Sequence, residues 1–299
     1  MSVKEFLVLF MICVIWGLHF IVMKVTVGET ADPLFYAAVR MTIVMVLLSP
    51  RLRWHKGMMR GVIIAGLGYG ALNYAFMFPA MGMTTASAAA VGIELYVPFS
   101  IILSAIFLGE KVGPRRIAGI GLAILGVTII GVSRPSEAAG PLFLLGFFMI
   151  IGAAMSEAIG AIMVKKVTGV RPLDLLAWFS VVGTVVLWPL SLAFEDNQMQ
   201  AFAPENRGAF IAALLYSAIG VSVIAHASYY WLLQRLPIYI VSTSGLMTTV
   251  IAIVASVLIL KEPLTKPLLI GSFVTLIGIS IILYSRKLHN IKTEPMPME

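Results

Sequence analysis

The residues of this sequence that could do chemistry lie within long apolar runs, and the most telling are Glu94, Glu157, His19 and His226. A carboxyl group there can hold a proton or the ammonium of a solute, and an imidazole titrates near neutral pH and can couple to protons. Glu94 lies about eight residues into its run, or about 12 Å along a helix that rises 1.5 Å per residue. Pro98, four residues on, has no N–H and would leave the Glu94 carbonyl without its helical partner. Glu157 sits beside Gly152, Ser156 and Gly160, a face of small residues at four-residue spacing. Trp16 and His19 are three apart on one helical face, and Tyr69 and Asn73 are four apart. Asn73 can bond a carboxylate or an amine. Trp16, Tyr69, Phe76 and Tyr96 offer flat walls to an apolar or aromatic side chain.

This is chemistry of binding and proton exchange. None of the four His is followed by Glu, so the H-E-x-x-H zinc motif is missing. The nucleophile elbow G-x-S-x-G is missing too. No pair of acids at catalytic spacing occurs within one run, and no G-x-x-x-x-G-K-[ST] loop is present to hold ATP. No cofactor or metal is expected. Other groups have blander readings. Arg40 should pair with an acid or snorkel to the interface. Lys24 should snorkel outward from the end of the first run. Tyr229, Tyr230 and Trp231 should form an interfacial aromatic belt. Glu110 and Lys111 should be loop charges, and Cys13 inert packing.

The elements that carry these residues are set by composition. Of 299 residues, 60% are apolar and 12% charged, against about 25% charged in soluble domains. The mean hydropathy is +1.00. A spanning helix needs about 20 mostly apolar residues, and such runs fall roughly at 5–27, 33–50, 61–83, 86–109, 114–133, 141–165, 172–194, 208–233, 237–260 and 265–285. The alternation of a barrel is absent, so helices must cross the bilayer. The net charge of +7 sits in short loops, as membrane topology requires, and does not indicate nucleic acid as a partner. Ten spans put both termini on one side, which receives 15 Lys and Arg against 5 on the other, with Arg40 completing the 21. This bias predicts cytoplasmic termini.

The chain also repeats itself. LGEKVGPRRIAGIGLAILGVTII from Leu108 matches LKEPLTKPLLIGSFVTLIGISII from Leu260. Glu110 aligns with Glu262, Gly119 with Gly271 and Gly126 with Gly278, all 152 residues apart. The same step carries Tyr74 onto His226. Each half holds five spans, an odd number, so the second must enter the membrane upside down. The expected fold is an all-α integral membrane protein, ten transmembrane helices as two inverted five-helix repeats, 1–135 and 136–299. Such repeats supply two related conformations, one open to each side. The glycine pairs lie on one helix face and suit close packing, giving spans five and ten a scaffold role that a monomer satisfies.

These features resemble the EamA-type families of the drug/metabolite transporter superfamily. IWGLHFIVMK in span one is similar to that family's Trp-Gly pattern with a downstream Lys, at Trp16, Gly17 and Lys24. YAAVRM in span two carries its arginine, Arg40, and LGEKV its Gly-Glu end signature, Gly109-Glu110. The later half repeats the last as LKEPL. His19 departs from the small polar residue usual there. The resemblance implies a ten-helix exporter of amino acids or related small metabolites in the plasma or inner membrane, with a central cavity, no ATPase and a gating role for Lys24. The reading is a secondary transporter whose partners are a small-molecule substrate and the lipid bilayer. A channel or facilitator, or an intramembrane enzyme, are the alternatives.

Overall fold

The computed structural model describes residues 1–133, 141–233, 235–236, 238–241 and 243–293. Among these there is no strand, and ten helical segments follow one another in the expected order: α1 (Val3–Glu29), α2 (Pro33–Leu47), α3 (Met59–Met83), α4 (Ala86–Leu108), α5 (Pro114–Val132), α6 (Phe143–Lys166), α7 (Pro172–Phe194), α8 (Arg207–Leu215, Tyr216–Ala225 and His226–Leu233), α9 (Ile238–Val241 and Thr243–Ile259) and α10 (Lys266–Thr293). The expected ninth span and the boundary between halves at 135/136 fall partly or wholly outside the described residues. Eight helices are long and apolar enough to cross a membrane, while α2 and the longer piece of α9 are shorter apolar helices. Helix α10 runs past the expected end of its span.

Local chemistry explains the ends. Ser2 and Glu5 form a reciprocal capping box on α1. Proline occupies the first position of α2, α5 and α7, where a missing N–H costs nothing. Gly109 ends α4 in the left-handed conformation that a side chain would resist. The outer surface is apolar, with Phe107 62% and Leu192 71% exposed, as a lipid-facing helix bundle requires.

Two helices depart from plain α geometry at matching places. Leu67–Leu72 of α3 and Tyr216–Ala225 of α8 are π-helical, and a step of 152 residues places the first inside the second. Wide turns of this kind are frequent at functional sites. Nothing in the apolar periodicity announces them.

Helices pair across the halves: α1 with α9, α3 with α6, α4 with α6, α2 with α7 and α5 with α10. The α5–α10 seam shows how the halves are related. A Cβ on Gly119 would stand 2.7 Å from the Gly278 carbonyl oxygen, and one on Gly126 would stand 2.5 Å from that of Gly271. Gly119 thus meets the equivalent of Gly126, and Gly126 the equivalent of Gly119. Such reciprocity is the signature of a two-fold axis. Because the two helices run antiparallel, that axis is perpendicular to them and lies in the membrane plane, so the halves are inverted repeats.

Candidate functional site

Glu94 comes to the centre on α4 just after Gly92, in a 3-10 turn over Ile93–Leu95 that tightens the helix ahead of Pro98. Its carboxyl is 5% exposed and accepts a hydrogen bond of 2.8 Å from Thr249 Oγ1 on α9. Gly245, one turn earlier on α9, leaves room for it, since a Cβ there would stand 3.3 Å from Glu94 Oε1. Glu157 arrives from α6. Its Oε2 accepts from Asn73 Nδ2 on α3 at 3.3 Å, and the same amide donates to the Ala153 carbonyl at 3.1 Å. The two carboxyl groups are electrostatic neighbours. Tyr96 lies within electrostatic range of Tyr229, Glu94, Glu157 and Tyr69. Tyr69 lies over Gly160 and stacks on Phe179 with ring centres 5.5 Å apart. One acid from each half therefore lies within electrostatic range of the other, with a threonine bonded to one and an amide to the other.

A second polar group adjoins the first. The Trp16 ring lies 5.4 Å from His226 and 5.4 Å from Tyr229. His226 Nδ1 donates to the Val221 carbonyl at 2.8 Å, so that nitrogen carries the hydrogen. His19 Nε2 is 3.1 Å from Ser217 Oγ, which lies 2.5 Å from the Tyr36 hydroxyl, and Tyr36 donates to the Ala213 carbonyl at 2.9 Å. With the Tyr36 hydrogen committed to Ala213, Ser217 donates to Tyr36 and His19 donates to Ser217. Phe76 stands apart from both groups. Its ring packs over Gly152 on α6 and is 36% exposed.

Arg40 differs from its expectation. It neither snorkels nor pairs with an acid: it is 1% exposed, and the ion pairs among the described residues are His55–Asp174 and Lys165–Glu110. Nη2 donates to Ser222 Oγ at 3.0 Å, and the guanidinium lies over Tyr74 at 4.9 Å and Phe78 at 5.9 Å. Its Nε and Nη1 are buried without a hydrogen-bond partner. Burying an ion costs several kcal/mol even after relaxation. A hydrogen bond to a charged group contributes about 1.5–3 kcal/mol and a desolvated cation–π contact about 2 kcal/mol, so the balance is close to even only if both act at full strength.

The charges at the helix ends also do more than expected. Lys24 does not reach outward; its Nζ donates to the carbonyls of Met81 at 2.9 Å and Thr84 at 2.6 Å, closing the end of α3. Glu262, the repeat equivalent of Glu110, is 7% exposed. It clamps the start of α4, accepting from Ala86 N at 2.6 Å, Ser87 N at 3.2 Å and Ser87 Oγ at 2.6 Å. Glu110 instead makes one solvent-exposed pair with Lys165, 3.2 Å long. Glu195 holds the start of α2 through Leu34 N at 2.6 Å and Phe35 N at 2.8 Å. Burial pushes its carboxyl above the usual range, against those two donors. Tyr229, expected in an interfacial belt, packs on Trp16 instead; the Tyr230 side chain lies outside the described residues, and the Trp231 ring meets Arg235 at 4.2 Å and Lys4 at 5.7 Å. Thr249, Ser217, Ser222 and Tyr36 were not among the sequence candidates. Serines and threonines are common in membrane helices, and only the inverted neighbour reveals which of them face a charge.

The model of the EamA-like transporter family matches residues 3–132 and 144–284. A "Probable amino-acid metabolite efflux pump" of Escherichia coli (strain K12) is 26% identical, over 94% of this chain and 95% of its own. A protein of the same description from Salmonella typhimurium is 27% identical with the same coverage. An "Uncharacterized transporter" of Archaeoglobus fulgidus is 27% identical over 95% of this chain and all of its own. A solved crystal structure aligns with a TM-score of 0.65 over 96% of this chain and 99% of its own, at 17% identity, a likeness of fold alone.

Proposed function

We propose, from the premise that the chain belongs to the EamA-like transporter family, that it is a secondary exporter of small metabolites, amino acids above all, working by alternating access through a central cavity. Transport rather than catalysis is the family's business; the substrate and the mechanism are our reading. The observation that carries it is that Glu94 and Glu157, one from each inverted half, lie within electrostatic range of each other and of Tyr96, with Thr249 and Asn73 bonded to them. An acid from each half gives a solute ammonium or a proton partners that belong to both moving bodies. That is what coupling between binding and a rocking motion requires. The tyrosines and Trp16 suit an apolar or aromatic side chain. The two relatives named as amino-acid metabolite efflux pumps support the substrate class. The excess of Lys and Arg on the terminal side supports cytoplasmic termini, and the matched glycines support repeats dividing near residue 135.

The test is uptake by proteoliposomes of a panel of amino acids, with and without a pH gradient. Movement of at least one amino acid above empty vesicles is expected. No movement of any amino acid would overturn the substrate class, and movement independent of a pH gradient would favour facilitated diffusion over proton exchange.

A further inference from the structure

The two faces of the bundle carry the same lysine and glutamate in two different arrangements. The 152-residue step relates α3 and α4 to α8 and α9 through the turn that joins each pair. Thr84 N donates to the Ala80 carbonyl and Leu236 N to the Leu232 carbonyl, each at 2.8 Å. Gly109 and Lys261 end α4 and α9 in the left-handed conformation, at φ 67° and 56°. Glu110 N reaches back to the Ser104 carbonyl at 3.4 Å, as Glu262 N does to that of Ser256 at 3.2 Å. Lys24 and Lys165 lie toward the ends of the equivalent helices α1 and α6, 141 residues apart. Each stands beside the matching acid. Lys24 is within electrostatic range of Glu262, and Lys165 Nζ is 3.2 Å from Glu110 Oε1.

At the Glu262 face this pair works as a latch. Lys24 holds the carbonyls of Met81 and Thr84, where α3 ends, and Glu262 holds the N–H groups of Ala86 and Ser87, where α4 begins. A cation on free carbonyls and an anion on free N–H groups are what two helix ends require. One residue from each half thus grips the α3–α4 turn. At the other face Lys165 donates to Ser104 Oγ at 2.9 Å and to Glu110, and the two charged side chains are 46% and 48% exposed. The step of 152 carries Met81, Thr84, Ala86 and Ser87 onto Leu233, Leu236, Ile238 and Tyr239 of the α8–α9 turn. Their backbone groups are the counterparts of those that Lys24 and Glu262 hold.

We propose that Glu110 and Lys165 are the second latch, undone in this conformation and closed in the alternate one. There Glu110 accepts from Ile238 N and Tyr239 N, and Lys165 donates to the carbonyls of Leu233 and Leu236. One latch opens as the other closes, so each state is tied shut on a single face. The second latch is the weaker, because Tyr239 stands where Ser87 gives Glu262 a third bond from its hydroxyl. This assignment rests on the alternating-access reading and deepens it, naming the side chains that close each face.

The experiment follows one reporter thiol, Met23→Cys in a Cys13→Ser background, labelled by a charged maleimide in lipid nanodiscs that leave both faces open to the reagent. Met23 is 3% exposed and belongs to the cluster that includes Met81 and Ala86, behind the Glu262 latch. Thr26→Cys, 4% exposed on the same helix, is the second reporter and decides the question if Met23→Cys does not fold. Glu262→Gln should speed labelling about tenfold by favouring the state in which that face is open. Adding Glu110→Gln should bring the rate back to within about threefold of the reporter alone, because it removes the latch of that same state. Lys165→Gln should do likewise. A double variant that labels as fast as Glu262→Gln, or faster, makes Glu110 and Lys165 an ordinary surface pair and overturns the assignment. An unchanged rate in Glu262→Gln overturns it too. Amino-acid uptake in proteoliposomes is read in parallel. Failed suppression with uptake intact leaves transport standing, whereas suppression in a protein that moves no solute overturns the transport reading and leaves the latches.

Discussion

Helix α5 offers the same substitution at two places with opposite expected signs. A Cβ on Gly126 would stand 2.5 Å from both the Gly271 carbonyl oxygen and the Thr275 backbone nitrogen, whereas one on Gly121 would meet nothing within 4 Å. Ordinary van der Waals contact needs about 3.5 Å, so Gly126→Ala forces α10 away by about 1 Å, with backbone as well as the Thr275 hydroxyl in the way. Overpacking of this kind costs about 1–3 kcal/mol. Gly121→Ala escapes that term and gains up to about 1 kcal/mol of helix propensity. Gly126→Ala gains the same propensity, so the two variants should differ by the overpacking term, about 1–3 kcal/mol, Gly126→Ala being the less stable and Gly121→Ala equal to wild type or more stable. Unfolding in mixed micelles by titration with a denaturing detergent reads both. Equal shifts, or stabilisation by Gly126→Ala, would refute the close backbone seam and with it the placement of the two-fold axis.

Other expectations concern the charged groups. Glu94→Gln should depress amino-acid uptake by tenfold or more with expression unchanged, and Thr249→Ala, which removes the 2.8 Å bond to Glu94, should lower it less; full activity in Glu94→Gln would make the carboxyl structural. Glu262→Gln leaves one acceptor for three donors and should cost about 1–3 kcal/mol in detergent unfolding, whereas Glu110→Gln, breaking an exposed pair with Lys165, should cost less than about 1 kcal/mol. A reversed order would falsify the contrast between the two clamps. Glu195 has a raised pKa in the folded state, so its contribution is fully present below its unfolded value of about 4.3 and lost as pH rises through the folded one. Stability measured across that window should fall more in wild type than in Glu195→Gln, and parallel curves would show that the Glu195 shift is absent.

The spans were readable because lipid imposes a length and an apolarity that few other constraints disturb. The repeat was readable because glycines at a backbone contact cannot be replaced: Gly119, Gly126, Gly271 and Gly278 mark the seam directly. The central acids stood out because a carboxyl in an apolar run has few bland explanations. Their pairing did not stand out. Asn73 was a candidate and Thr249 was not, and both reach Glu157 and Glu94 across helix pairs whose register no single run encodes. Arg40 misled for a related reason. An expected acid or a snorkelling path is a statement about neighbours, and its neighbours are two rings and a serine. The π-helical stretches were invisible because a change of one residue per turn within a uniformly apolar segment leaves no periodic trace.

The unequal clamps at the two faces have a consequence for populations. In a protein made of two identical inverted halves, exchanging the halves' conformations would turn the state open to one side into the state open to the other, and the two would be equally populated. Every difference between the halves is then a contribution to the bias between them. Here the buried Glu262 holds the start of α4 with three hydrogen bonds, while Glu110, its counterpart, spends its charge on one solvent-exposed lysine. Each difference of about 1.4 kcal/mol between such clamps shifts the ratio of the two states tenfold. On the alternating-access reading proposed above, the resting molecule should wait with the Glu262 face shut, and a solute bound at the centre would supply the free energy to open it.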